Sequence, residues 1–86
     1  MKTIKYSRES LKSLRNMPAN TMKRIVGKIN QYANDPQSLA NNVIRMKGEP
    51  HYRLRVGNYR VVFDEFDRII EIIKVEGRGS VYKKKR

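Results

Sequence analysis

The chain has 86 residues, room for one domain whose single modest core every element must share. Its 20 Lys and Arg against 8 Asp and Glu leave a net charge of +12, which implies a polyanionic partner: nucleic acid first, with an acidic protein or an anionic membrane surface as the other candidates. The absence of cysteine excludes disulfides, thiolate metal sites and cysteine nucleophiles; MKTIKYSRES lacks the apolar stretch of a signal peptide and no segment approaches the roughly 20 apolar residues that span a bilayer, so a cytoplasmic location with no membrane partner is expected.

Residues 2–6, KTIKY, read as a short strand, and Ser7 as the N-cap of a helix through Leu11 and Leu14. Pro18 and Asn20 punctuate the chain. Met22, Ile25, Val26, Ile29, Tyr32 and Ala33 then recur at helical spacing and describe one apolar stripe, which Asn34-Asp35-Pro36 terminates. With no other helix face to cover a sheet, that stripe is expected in the core. Lys23, Arg24 and Lys28 lie around the rest of the helix and read as a solvated face.

Residues 36–50 read as a loop with a short turn of helix around Leu39 to Asn42, closing on Met46-Lys47-Gly48-Glu49-Pro50. Tyr52 to Val56 and Tyr59 to Asp64 are two strands joined at Gly57-Asn58, and Ile69 to Val75 returns after a turn near Glu65 to Arg68. The order βααβββ predicts a small single α+β domain: an antiparallel-rich four-stranded sheet with a two-helix hairpin packed on one face. The domain is expected over 1–82. Residues 83–86, Lys83-Lys84-Lys85-Arg86, form a basic tail whose expected role is nonspecific electrostatics.

Alternation puts Tyr52, Leu54, Val56, Tyr59, Val61 and Phe63 on the face of the hairpin that meets the helices. The opposite face carries Arg53, Arg55 and Arg60 with Val62. A two-residue turn sets Val56 against Tyr59 and therefore Arg55 directly against Arg60, where like charges repel. An ordinary solvated face would mix signs, yet the nearest acids in that reading, Asp64, Glu65 and Asp67, stand at the far end near the next turn. A phosphate between the guanidinium groups reverses the balance, because each can donate in bidentate fashion to its oxygens. The last strand leads into VEGRGSVY, residues 75–82, where Gly77 and Gly79 flank Arg78 and Tyr82 offers a base-stacking surface.

With these stretches the chain resembles, over nearly its whole length, the RelE/ParE superfamily of bacterial and archaeal toxins from type II toxin–antitoxin operons. The resemblance is carried by Met46-Lys47-Gly48, by Tyr52-Arg53-Leu54-Arg55-Val56-Gly57-Asn58-Tyr59-Arg60-Val61, and by Val75 to Tyr82 with its arginine and Val-Tyr. It implies a RelE-like fold. Members of the RelE branch are endoribonucleases that cleave the mRNA codon in the ribosomal A site by attack of a ribose 2′-hydroxyl on the adjacent phosphate, leaving 2′,3′-cyclic phosphate and 5′-hydroxyl ends without metal or cofactor.

Carried onto this sequence, the resemblance implies Arg55, Arg60, Arg78 and Tyr82 as catalytic residues. Arg55 and Arg60 would neutralise the charge growing on the pentacoordinate phosphate, Arg78 would sit near the leaving 5′-oxygen, and Tyr82 would stack on or orient the nucleotide. Arg53 is expected to hold the RNA backbone, and Lys47, Arg45, Lys74 and Lys83 are the further RNA-contacting candidates. Well-known RelE members carry lysines where this chain has Arg53 and Arg55, and arginine does not release a proton. The proton acceptor is therefore unassigned among Tyr82, Glu49, Glu76, His51 and a reaction with no strong base.

Two other functions share the features: a ParE-like poison of DNA gyrase without nuclease activity, and a non-catalytic RNA-binding module. The expected partners are the ribosome with its mRNA and a cognate RelB-like antitoxin, in a toxin–antitoxin complex of higher-order hetero-oligomeric form. Such an antitoxin is expected to add to a sheet edge or cover the arginine face with an acidic or amphipathic segment.

Overall fold

The computed structural model describes residues 2–45, 48 and 50–77. In chain order these form β1 (Thr3–Tyr6), α1 (Arg8–Arg15), α2 (Ala19–Asn34), a 3-10 segment (Pro36–Asn42), β2 (Val43–Arg45), β3 (Tyr52–Val56), β4 (Tyr59–Phe66) and β5 (Ile69–Gly77). The strands form one sheet of order β1-β5-β4-β3-β2. β1 runs parallel to β5 and every other neighbouring pair is antiparallel.

The α+β class stands, with one strand more than expected. β2 comes from the segment read as loop: Val43 pairs with Leu54, Ile44 with Arg53 and Arg45 with Tyr52. Three residues are too few for alternation to announce a strand, and only the partner edge of β3 makes these extended. β4 also continues past Asp64 to Phe66, because the turn contracts to Asp67-Arg68 with Phe66 opposite Ile69. Asp67 accepts φ 52° there, a left-handed conformation that aspartate tolerates better than most residues.

The apolar stripe of α2 enters the core as expected. Ile25, Ile29, Tyr32 and Ala33 are buried with Leu54, Val56, Val61 and Phe63 of the hairpin, and Met22 and Val26 pack against the same cluster. Phe63 lies between two tyrosines, its ring centroid 5.2 Å from that of Tyr32 and 5.5 Å from that of Tyr52. No described helix is long and apolar enough to cross a membrane.

Ser7 caps α1 as expected, its Oγ accepting from the Ser10 N–H at 3.0 Å. The same hydroxyl donates to the Ile73 carbonyl at 2.6 Å, and the Ser7 N–H donates to the Ile72 carbonyl at 2.9 Å. These bonds fall where the β4–β5 ladder is irregular: Phe63 pairs with Ile72 but Val62 pairs with Lys74, leaving Ile73 as an extra residue in β5. The bulge changes the parity of the strand. Before it Ile70 and Ile72 face the core, and after it Val75 does. Ser7→Ala removes the cap and leaves the bulge carbonyl without its hydroxyl partner; it should lower unfolding free energy by about 1–2 kcal/mol, read from urea denaturation.

At the opposite end of β4, Glu65 ties three elements together. The Tyr32 hydroxyl donates to its Oε1 at 2.7 Å and the Lys2 ammonium pairs with its Oε2. Burial raises the Tyr32 hydroxyl above its ordinary pKa, with Tyr52 adding to the effect, and burial alone raises Tyr6. A raised folded-state value means that the native state holds these protons longer than the unfolded chain. Their contribution to stability is therefore full below the unfolded value of about 10 and is lost as pH rises through the folded values. Stability should fall on the alkaline side of about pH 10, and the Tyr6→Phe/Tyr32→Phe double variant, though less stable overall, should show a shallower fall by denaturant midpoints from pH 8 to 11.

Candidate nucleic-acid interface

The hairpin forms in the expected register, with Val56 opposite Tyr59, Arg55 opposite Arg60 and Arg53 opposite Val62. Gly57 has φ 58° while Asn58 does not enter the positive region. That is the type II′ pattern, which favours glycine first and suits the twist of the strands. In a two-residue hairpin the pair beside the turn exchanges both hydrogen bonds, so the next pair is of the non-bonded kind, with Cα atoms about 4.5 Å apart and side chains at their closest. Arg55 and Arg60 occupy that pair. Neither makes an ion pair among the described residues.

A concavity of about 500 Å³ opens at this tip, lined by Arg55, Gly57, Asn58, Tyr59 and Arg60. Beside it lies a second of about 230 Å³, walled by Ile44, Arg53, Arg55 and Arg60. Arg55 and Arg60 line both, and guanidinium donors suit phosphate oxygens. Among the described residues no three or more His, Asp or Glu side chains are grouped as a metal cation would need.

The register extends this face onto the neighbouring strands. One row runs Ile44, Arg53, Val62, Lys74, and the next runs Arg55, Arg60, Glu76. The expectation that the nearest acids stand at the far turn is thus corrected, because Glu76 lies directly opposite Arg60. The bulge at Ile73 is the reason; without it Glu76 would point to the core side. Lys74 Nζ is 3.4 Å from Glu76 Oε2. Val62, expected on an open face, is 4% exposed although it lies outside the helix-side core. Its register neighbours are Arg53 and Lys74, whose aliphatic stems can cover apolar surface while their charges stay in water.

Four of the candidate residues, Arg53, Arg55, Arg60 and Lys74, therefore share one face. Arg45 does not: it pairs with Tyr52, whose ring lies on the helix side, and its guanidinium sits 5.3 Å from that ring's centroid. Lys47, Arg78, Tyr82 and Lys83 lie outside the described residues, as do Glu49 and the 83–86 tail. His51, one of the proton-acceptor candidates, is bonded through Nδ1 to Asp64 Oδ1 at 2.6 Å, and its side chain is 38% exposed.

Two further side chains enter the surroundings that sequence reasoning had not placed there. Ile44 is 40% exposed beside Arg53 and gives the arginine face an apolar wall; its only sequence signal was a β-branched pair at 43–44. Arg24 of α2 reaches the hairpin tip, one guanidinium nitrogen standing 3.4 Å from where a Cβ on Gly57 would be. Helical periodicity alone puts Arg24 on a solvated face, and the packing angle of α2 over the sheet brings it to the turn.

A family model described as the ParE toxin of the type II toxin–antitoxin system parDE matches residues 4–82. Among curated proteins none matches the chain. Among solved structures the chain is similar to one in the intact Escherichia coli RelBE toxin–antitoxin complex, with TM-score 0.74 and 18% identity over 90% of this chain and 96% of that one. It is similar also to one in the RelE–RelB complex of Pyrococcus horikoshii, with TM-score 0.73 and 26% identity over 91% and 96%. The RelB–RelE complex of Methanococcus jannaschii gives TM-score 0.68 and 29% identity over 93% and 96%. The bulged five-stranded sheet, the two helices across one face and the family match over 4–82 together lead to one conclusion: the chain belongs to the ParE toxin family of type II toxin–antitoxin systems.

Proposed function

We propose that this toxin is a ribosome-dependent endoribonuclease that cuts mRNA in the A site, with the outer face of the β3–β4 hairpin as its phosphate-binding surface. One observation carries the reading: Arg55 and Arg60 occupy a non-hydrogen-bonded cross-strand pair of the hairpin, on a rigid sheet, beside two concavities that both arginines line. Such a pair repels by an amount on the order of 1 kcal/mol or less in the RNA-free protein and becomes favourable when an anion lies between the two groups. Preorganised cations serve a pentacoordinate phosphate better than its ground state, because the negative charge grows during attack. In this reading Arg55 and Arg60 hold the reacting phosphate, Arg53 and Lys74 hold the backbone beside it, and Ile44 supports a sugar or base edge. Arg78 and Tyr82 complete the site from the segment after β5, and Lys47 and Lys83 contact RNA further out.

A cognate RelB-like antitoxin is the expected partner, since the similar chains come from RelE–RelB complexes. It would neutralise the arginine face or add to the sheet at β1 or β2, the two edge strands. The competing reading, a gyrase poison, is favoured by one observation, the ParE description of the matching family model.

A programmed-ribosome mRNA cleavage assay run beside a gyrase supercoiling assay separates the two. Codon-positioned cuts that fall by about 10²–10³-fold in Arg60→Ala support the nuclease reading; intact mRNA together with inhibited supercoiling overturns it. Arg24→Gln should weaken ribosome binding and reduce its salt dependence by about one counterion, because it removes a cation from the rim and leaves the reacting centre in place. An unchanged salt slope would put Arg24 outside the RNA footprint.

A further inference from the structure

Arginines stabilise a phosphate but do not accept the proton of the attacking 2′-hydroxyl, so a nuclease built on Arg55 and Arg60 needs another group for that step. The sheet register ranks the described candidates by position. Adjacent strands lie about 4.8 Å apart and residues rise about 3.3 Å along a strand. Glu76 stands directly opposite Arg60, one strand away. His51 is four residues along β3 from Arg55, about 13 Å by that rise, and its Nδ1 is already engaged by Asp64. Asp64 is equally far from Arg60, and Glu71 pairs with Asp64. Lys74, two residues from Glu76, carries a proton already as an ammonium and pairs with Glu76.

We infer that Glu76 is the catalytic general base of this toxin, an assignment that rests on the nuclease reading above. The side chain is 35% exposed, open enough to meet a ribose and close enough to the arginine pair to share one nucleotide with it. The charged groups around it are Arg60 across the ladder, Arg55 one strand further and Lys74 on its own strand. The ion pair with Lys74 holds the carboxylate on the arginine face.

The step balances with water as the only other participant. A Glu76 carboxylate oxygen takes the 2′-hydroxyl proton as the 2′-oxygen forms its bond to phosphorus. The bond from phosphorus to the 5′-oxygen breaks with its electron pair on that oxygen, which takes a proton from water. Glu76 then returns its proton to solvent, and the RNA is left with a 2′,3′-cyclic phosphate and a 5′-hydroxyl end.

Single-turnover cleavage on programmed ribosomes between pH 6 and 9, with the full chain and its Glu76→Gln and Glu76→Asp variants, tests this. Glu76→Gln should cut at least 100-fold more slowly than the parent while binding the ribosome equally or more tightly. Its residual rate should climb log-linearly with pH where the parent is flat, because hydroxide then replaces the carboxylate. Glu76→Asp should recover part of the rate. A Glu76→Gln variant within about threefold of the parent, with the same pH profile, overturns the assignment and leaves Glu76 as the ion-pair partner of Lys74. A parent chain that leaves mRNA intact overturns the nuclease reading instead.

Discussion

The bond from the Ser7 hydroxyl to the Ile73 carbonyl, 2.6 Å long, holds the irregularity on which the rest of the sheet depends. A strand has period 2, so one extra residue exchanges the two faces of everything that follows. Because Ile73 bulges, Val75 joins Ile70 and Ile72 in the core while Lys74 and Glu76 join the arginines outside. The same serine caps α1, which couples the start of the helical layer to the point where β5 changes parity. Core packing and the charge pattern of the outer face are thus set by one local feature, held from the segment between β1 and α1.

The outer face divides into two electrostatic regions. At the hairpin tip, Arg55 and Arg60 stand together, and among the described residues Glu76 is the acid beside them in register. Toward the other end, His51 is bonded to Asp64, and Lys5 pairs across the sheet with Glu71. The mixed-sign end behaves as an ordinary solvent face. At the tip the repulsion is tolerated because the aromatic and aliphatic packing beneath, centred on Phe63 and Ile25, holds the hairpin regardless of what its outer side chains prefer. A folded core of this kind lets a small protein keep a surface that is favourable only when its anionic partner is present.

Helix positions, the hairpin and its register were legible because each is a short-range property. Ser7 before an amphipathic run, the Met22 to Ala33 stripe, and Gly57-Asn58 between alternating strands are patterns that local sterics and burial enforce within a few residues. β2 was not legible, since three extended residues at an edge depend on β3 being there to pair with. Nor were the burial of Val62 and the position of Glu76, which follow from a bulge that leaves no mark in composition. Arg24 read as solvated for a similar reason: periodicity gives the face of a helix but not how that helix crosses the sheet.

The sequence by itself determined the class of fold, the core stripe of α2 and the confrontation of Arg55 with Arg60, because a two-residue turn leaves the pairing no freedom. Only the tertiary structure decided which other charges share that face. Glu76 came to Arg60, and Arg45 was turned away toward Tyr52. The physical reason is that face assignment beyond a hairpin accumulates through every intervening residue of the ladder, so one bulged residue, fixed by a hydrogen bond 66 positions away in sequence, reverses it.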